Sequence, residues 1–235
     1  VNIAPFDVRQ GGFVGAAINT VTRSGNNDFQ GSLYYNARDQ DYVGRNAGRR
    51  TFNPGTFSFD QIGFRLGGPI LKDKLFFFVS YESDENSAPG NTNLPREASQ
   101  SAGGNITRVL RSDLIAVRDT LQALFGYNPG EFEGYPGATP SSRLTARFDY
   151  ALSDRNKFSF RYTSLDSETD NLVSTSSSLG FGRNRGLSMS YTGSNYTILE
   201  NIDSYAAEWN SLITDRMSNQ LLFTYTKQDE SRGAI

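Results

Sequence analysis

The sequence predicts an all-β fold: part of a transmembrane antiparallel β-barrel, with one short helix in an extracellular loop. Three observations predict it. Apolar and polar residues alternate with period two in successive segments, and short charged turns alternate with long polar loops. The third is composition: mean hydropathy is negative, yet the 235 residues include 12 Tyr and 17 Phe. A barrel wall needs that mixture, because one face meets lipid, the other meets water, and aromatic girdles sit at the interfaces. No apolar run approaches the ~20 residues of a membrane-spanning helix, which excludes a helical membrane protein. Composition alone leaves a soluble β-sandwich open.

Charge and chemistry narrow the function. Net charge is -2 with basic and acidic residues interspersed, so there is no footprint for nucleic acid. The chain has no Cys and no His. That removes thiol catalysis, disulfides, the Ser-His-Asp triad and the usual zinc sets, and the expectation is a protein without catalytic residues, cofactor or metal. The chain opens at Val1 without a Met, basic region or apolar leader, which reads as a fragment of a longer protein.

The elements follow in order. A glycine-dense, β-prone stretch from Gly11 to Gly25 reads as a strand packed closely on other backbone and ends in a turn at Ser24 to Asn27. Strands are expected from Phe29 to Arg38 and about Phe57 to Ile70. After the tight turn Lys72-Asp73-Lys74, another runs from Leu75 to Ser83. The long connection from about Asp84 to Pro140 exceeds an ordinary hairpin loop. Within it Leu110, Leu114, Val117, Leu121, Leu124 and Phe125 recur at helical spacing before Gly126, a C-cap residue, and this stripe is expected to pack on the loop or barrel rim.

Two hairpins then carry the clearest pattern. Leu144, Ala146, Phe148 and Tyr150 oppose Thr145, Arg147 and Asp149, and after the turn at Ser153 to Asn156 the return strand sets Phe158, Phe160 and Tyr162 against Ser159, Arg161 and Thr163. A second long loop, Asp166 to about Tyr196, precedes a hairpin in which Tyr205, Ala207 and Trp209 oppose Ser204, Ala206 and Glu208. Thr214-Asp215-Arg216 turns the chain into Leu221, Phe223 and Tyr225. Outer-membrane barrels arrange short periplasmic turns and long outer loops in this way, and a sandwich has no reason to. Seven strands would leave an edge that lipid does not tolerate, so more strands are expected elsewhere, as in a plugged barrel of about 22 strands.

The runs Asp7-Val8-Arg9-Gln10-Gly11-Gly12, Gly15 to Gly25, Phe29-Gln30-Gly31-Ser32 and Gly67 to Glu82 stand in order at sensible spacing. They resemble the plug-to-barrel junction and first hairpin of Oar-like TonB-dependent receptors, relatives of SusC-type transporters. Gln30 departs from the His common there. The resemblance covers the first third of the chain. It implies residues 1-27 as the end of a plug and 28-235 as barrel, in the outer membrane of a Gram-negative, Bacteroidota-like cell. It also implies import of a peptide- or glycan-like ligand, energised by the TonB complex through a part of the chain outside this sequence, with a surface lipoprotein lid as a further partner. The alternative is a scaffold barrel docking surface lipoproteins or a larger envelope complex.

Candidate lumen and ligand residues follow. Arg9 and Arg23 flank the last plug strand; Arg147, Asp149, Arg161 and Glu208 lie on polar strand faces and should pair with the plug if the aromatic faces meet lipid. Tyr34, Tyr35, Tyr81, Tyr150, Tyr162 and Tyr225 read as girdle residues. Asp166, Glu168 and Asp170 lack the glycine turn of a calcium loop and read as solvated. Gly11-Gly12 and Gly67-Gly68 mark tight backbone contact and not phosphate cradles.

Overall fold

A computed structural model describes residues 2–3, 16–17, 21–44, 46–48, 50–51, 56–90, 93–172 and 189–234. Two short ladders, β1 (Asn2–Ile3) with β2 (Ala16–Ala17) and β4 (Asn46–Ala47) with β5 (Arg50–Thr51), stand beside one seven-stranded sheet. The sheet contains β3 (Gln30–Asp39), β6 (Ser58–Leu71), β7 (Leu75–Pro89), β10 (Pro136–Ser153), β11 (Asn156–Asn171), β12 (Tyr196–Thr214) and β13 (Met217–Ala234). Each pairs antiparallel with the next in chain order, a plain meander with free edges at β3 and β13. The strands fall on the expected segments but reach farther into the long connections: β7 continues to Pro89, β10 begins at Pro136, and β11 continues to Asn171, so Asp166, Glu168 and Asp170 stand in a strand and not in a loop. Of the strand expected from Gly11 to Gly25, Ala16–Ala17 form β2, residues 21–25 form no strand and lie against the sheet, and residues 11–15 and 18–20 lie outside the described residues.

Side-chain alternation and register divide this sheet into two unlike faces. On one face the pairing builds continuous rows: Leu221, Trp209, Phe158, Tyr150 and Leu75, then Phe223, Ala207, Phe160, Phe148 and Phe77, then Tyr225, Tyr205, Tyr162, Ala146, Val79 and Leu66. The apolar band does not run straight along the rows. On β11 to β13 it ends at the row of Tyr162, Tyr205 and Tyr225; on β7 it ends one row higher at Tyr81, and on β3 higher again at Tyr35. A flat hydrocarbon layer crossing tilted strands requires such a climb. Hydroxyls at the upper border point out of the band: Tyr162 donates to Asp203 at 2.6 Å and Tyr35 to Asp60 at 2.5 Å, each acceptor lying beyond the border row. At the lower border the Trp209 indole donates the other way, to Asn156 Oδ1 at 3.3 Å. Amphipathic aromatics with their polar tips turned toward water are what an interface selects.

Tyr34 departs from the girdle reading. It is the neighbour of Tyr35 in an extended strand, so it must point to the opposite face; there its ring covers Gly63 and its hydroxyl donates to Glu82.

The short turns are regular. Leu71 to Leu75, Ser153 to Asn156 and Thr214 to Met217 close the three hairpins, each beside a register shift. Asp73 takes φ 62, a conformation Asp tolerates better than most residues. At the other end the strands outrun the ~9–11 residues that cross a bilayer: β12 has 19 and β13 has 18.

The two long connections fold onto each other there. The first contains β8 (Leu94–Arg96), parallel to β9 (Ile106–Leu110), and α1 (Arg111–Phe125), which ends at Gly126 with φ 63, as the sequence predicts. Leu114 and Phe132 are buried. Tyr191, from the second connection, packs edge-on against Phe132 and donates to the Leu114 carbonyl at 2.6 Å. Thr192 N donates to Glu131 O at 2.7 Å and Gly193 N to Pro129 O at 2.9 Å. Arg111 ties the base of α1 to Glu97 and Glu133, whose carboxylates hold its proton still more firmly than usual. The expected packing of the helical stripe is met only in part: Leu114 is buried, whereas Leu124 and Phe125 are 70% and 73% exposed.

Burial raises the Tyr191 hydroxyl above its ordinary range. Its contribution to loop docking is therefore complete below the free phenol's value near 10 and is lost as pH rises through the raised value. Tyr191→Phe should remove about 1 kcal/mol of docking and speed amide exchange in α1 while leaving the strand ladders protected. Equal exchange in both proteins would show that the bond does not hold the loops.

Candidate functional site

The second face of the sheet is polar, and its side chains gather in two clusters. The lower one is built from β10, β11 and β12. Register sets Arg147 directly beside Arg161, and in the next inward row sets Asp149 and Glu208 on either side of Ser159. Two adjacent guanidinium groups repel unless each finds an acceptor. Arg147 grips Asp149 through Nε at 2.9 Å and Nη2 at 2.7 Å. Its Nη1 donates to the backbone carbonyl of Thr22 at 2.7 Å, and Arg161 Nη1 donates to Thr22 Oγ1 at 3.0 Å. Glu208 accepts from Asn210 at 2.8 Å and Gln220 at 2.6 Å. The wall thus holds a residue that precedes its own first strand.

That segment is fixed by shape as well. A Cβ at Gly25 would lie 2.7 Å from the Gly68 carbonyl oxygen and closer still to that of Phe77, both backbone atoms that cannot turn aside. Gly67 approaches the same crossing, with the buried Phe78 beside it. The tight-contact reading of Gly67-Gly68 thereby acquires its partner. Two residues on, Asn27 donates to Asp73 Oδ1 at 2.6 Å and accepts from the Asp73 amide at 2.9 Å, clipping the segment to the first short turn. Residues 22 to 27 are therefore held at three successive points, from the polar face to the first short turn.

The upper cluster lies farther from the turns. Arg143 on β10 bridges Glu82 at 2.6 Å and Asp84 at 2.9 Å on β7, and Tyr34 on β3 completes it by donating to Glu82. A cleft of about 400 Å³ opens beside the entering segment, lined by Arg23, Gly25, Asp28, Arg65 and Phe78.

The candidates divide accordingly. Arg147, Asp149, Arg161 and Glu208 come together on one face, and two of them bind the preceding segment. Arg23 lines the cleft, not the cluster. Arg9 and Gly11-Gly12 lie outside the described residues. Asp170 accepts from the Ala138 amide at 3.0 Å and from Thr197 Oγ1 at 3.2 Å, so it pins strand ends. Thr22, Asn27, Tyr34, Glu82 and Arg143 are additional residues. Tyr34 could have been found from alternation alone; the others depend on register across long connections.

Arg147→Ala and Arg161→Ala should each cost about 1.5–3 kcal/mol of segment docking, because each removes a charged hydrogen bond. The double variant should cost less than the sum, since both arginines share Thr22. Hydrogen exchange across residues 21–28 reads this directly; strict additivity would mean that the two arginines do not act on one contact.

Comparison with known proteins accords with this architecture. Residues 21–234 match the family model described as an outer membrane beta barrel domain. Part of the chain is 40% identical over 75 residues to the "TonB-dependent transporter Oar" of Myxococcus xanthus, a stretch covering 28% of this chain and 7% of that protein. No solved structure matches. With the family model spanning the whole sheet, its lipid-suited face and its polar face, the chain belongs to the outer membrane beta barrel domain family.

Proposed function

We propose that this chain is the plug-to-barrel junction of a TonB-dependent outer-membrane transporter, residues 1-27 being the end of the plug and 28-235 the first barrel strands. The observation that carries it is the grip of Arg147 and Arg161 on Thr22. A segment entering the barrel from within is what a plug requires, and it has no use in an open pore. The Oar resemblance supports the same reading. The short turns then face the periplasm and the docked long loops face outward.

In this reading the cargo is peptide- or glycan-like, and the upper cluster around Arg143, Glu82 and Asp84 lines its path. The TonB complex acts through a part of the protein outside this chain, and a surface lipoprotein is the expected lid. No catalytic role is assigned. A scaffold function is the second reading, favoured by the exposed Leu124, Phe125 and Tyr127 at the end of α1, which offer a surface to another protein.

Cells producing the full-length protein should accumulate labelled oligopeptide or oligosaccharide only while the inner membrane is energised, and a protonophore should abolish uptake. Absence of energy-dependent uptake, with the protein recovered in a stable envelope assembly, would favour the scaffold.

A further inference from the structure

The charges of the two clusters on the polar face are matched, Arg147 by Asp149 and Arg143 by Glu82 and Asp84. Those of the cleft beside the entering segment are not. Arg23, Arg65 and Asp28 line it together, and among the described residues none of the three forms an ion pair, with one another or with any other side chain. Arg65 gives its Nε to Ser32 Oγ at 2.9 Å, a bond that orients the guanidinium and leaves its two terminal amino groups without an acceptor among the described residues. Asp28 engages its amide, which donates to Asn26 Oδ1 at 2.9 Å, while its carboxylate stays open.

Two cations and one anion held apart in the same cleft suit a ligand that carries both signs. A carboxylate fits the fork of a guanidinium as a hydroxyl does not, and an ammonium answers Asp28. A neutral glycan offers neither group and an acidic glycan only the first. A short peptide with free ends offers both, and the buried Phe78 gives its side chains an apolar wall. At about 400 Å³ the cleft is in the size range that holds small ligands.

We infer that this cleft is a binding site for a short peptide with free ends, its carboxylate closed between Arg65 and Arg23 and its ammonium on Asp28. As a station for cargo the site depends on the transporter reading above, within which it selects peptide over glycan. As a binding site it depends only on the three charges and their cleft. A peptide bound there touches the segment that leads into the barrel.

The test titrates full-length protein, purified in mild detergent, with trialanine, trialanine amide and N-acetyl-trialanine by isothermal calorimetry. Wild type should bind trialanine and lose about tenfold or more in affinity when either end is blocked, the effect of one charge-assisted hydrogen bond. Arg65→Gln should cost trialanine a similar factor and cost the amide almost nothing further; Asp28→Asn should stand in the same relation to the acetylated peptide. Resistance to detergent unfolding at low temperature establishes that each variant is folded, and the blocked peptides test the site on wild type alone. Failure of wild type to bind trialanine, or equal affinity in wild type and both variants, would overturn the site. Dependence on the carboxylate without dependence on the ammonium would overturn peptide as the class and point to an acidic glycan. Energised uptake of trialanine that neither variant changes would overturn the site and leave the transporter standing; binding that follows the variants without any energised uptake would do the reverse.

Discussion

Every backbone N–H and C=O that enters hydrocarbon must find its partner inside the protein, and this constraint organises the chain. The ladder from β3 through β13 meets it everywhere except at its two edges. Once the strands are extended, each side chain is committed to one of two faces, and a slip of one residue would exchange lipid-suited for polar groups along a whole strand. The two faces are therefore consequences of one choice. The apolar face needs no complementary protein surface because lipid supplies it, which is why so many Phe and Leu side chains remain exposed and so few are buried.

The polar face carries the opposite burden. Arg147 and Arg161 stand side by side, and a lumen wall of such groups must find counter-charges or acceptors. Asp149 supplies one carboxylate and Thr22 supplies two oxygens. The glycines complete the arrangement: Gly25, Gly67 and Gly68 bring two backbones closer than any side chain would permit. Charge and shape thus agree on one location for the entering segment. That location is near the short turns, where Asn27 and Asp73 join the segment to the rim.

Much of this was legible from the residues because period two is a strong local signal. Phe158-Ser159-Phe160-Arg161-Tyr162 announces both faces without any knowledge of its neighbours. Gly126 likewise announced the end of α1. What could not be read was register across the long connections. Glu82 and Arg143 lie far apart in sequence, and only the pairing of β7 with β10 brings them together. Docking of Tyr191 onto Leu114 is hidden for the same reason, since two irregular loops meet through a single hydroxyl and a ring edge. Tyr34 differs in kind: a position at a strand end suits a girdle, but alternation sets it on the face opposite Tyr35, where it donates to Glu82.

The direction of the edge strands adds a constraint on the complete barrel. A meander of seven strands begins and ends with strands of the same sense, so β3 and β13 both run from the short-turn side to the long-loop side. Joining those edges, within one chain or between two copies, would make a parallel pair. Antiparallel closure therefore takes an odd number of additional strands, which gives the even total usual for bacterial barrels. The sheet cannot complete itself by folding round, and a second copy cannot complete it antiparallel.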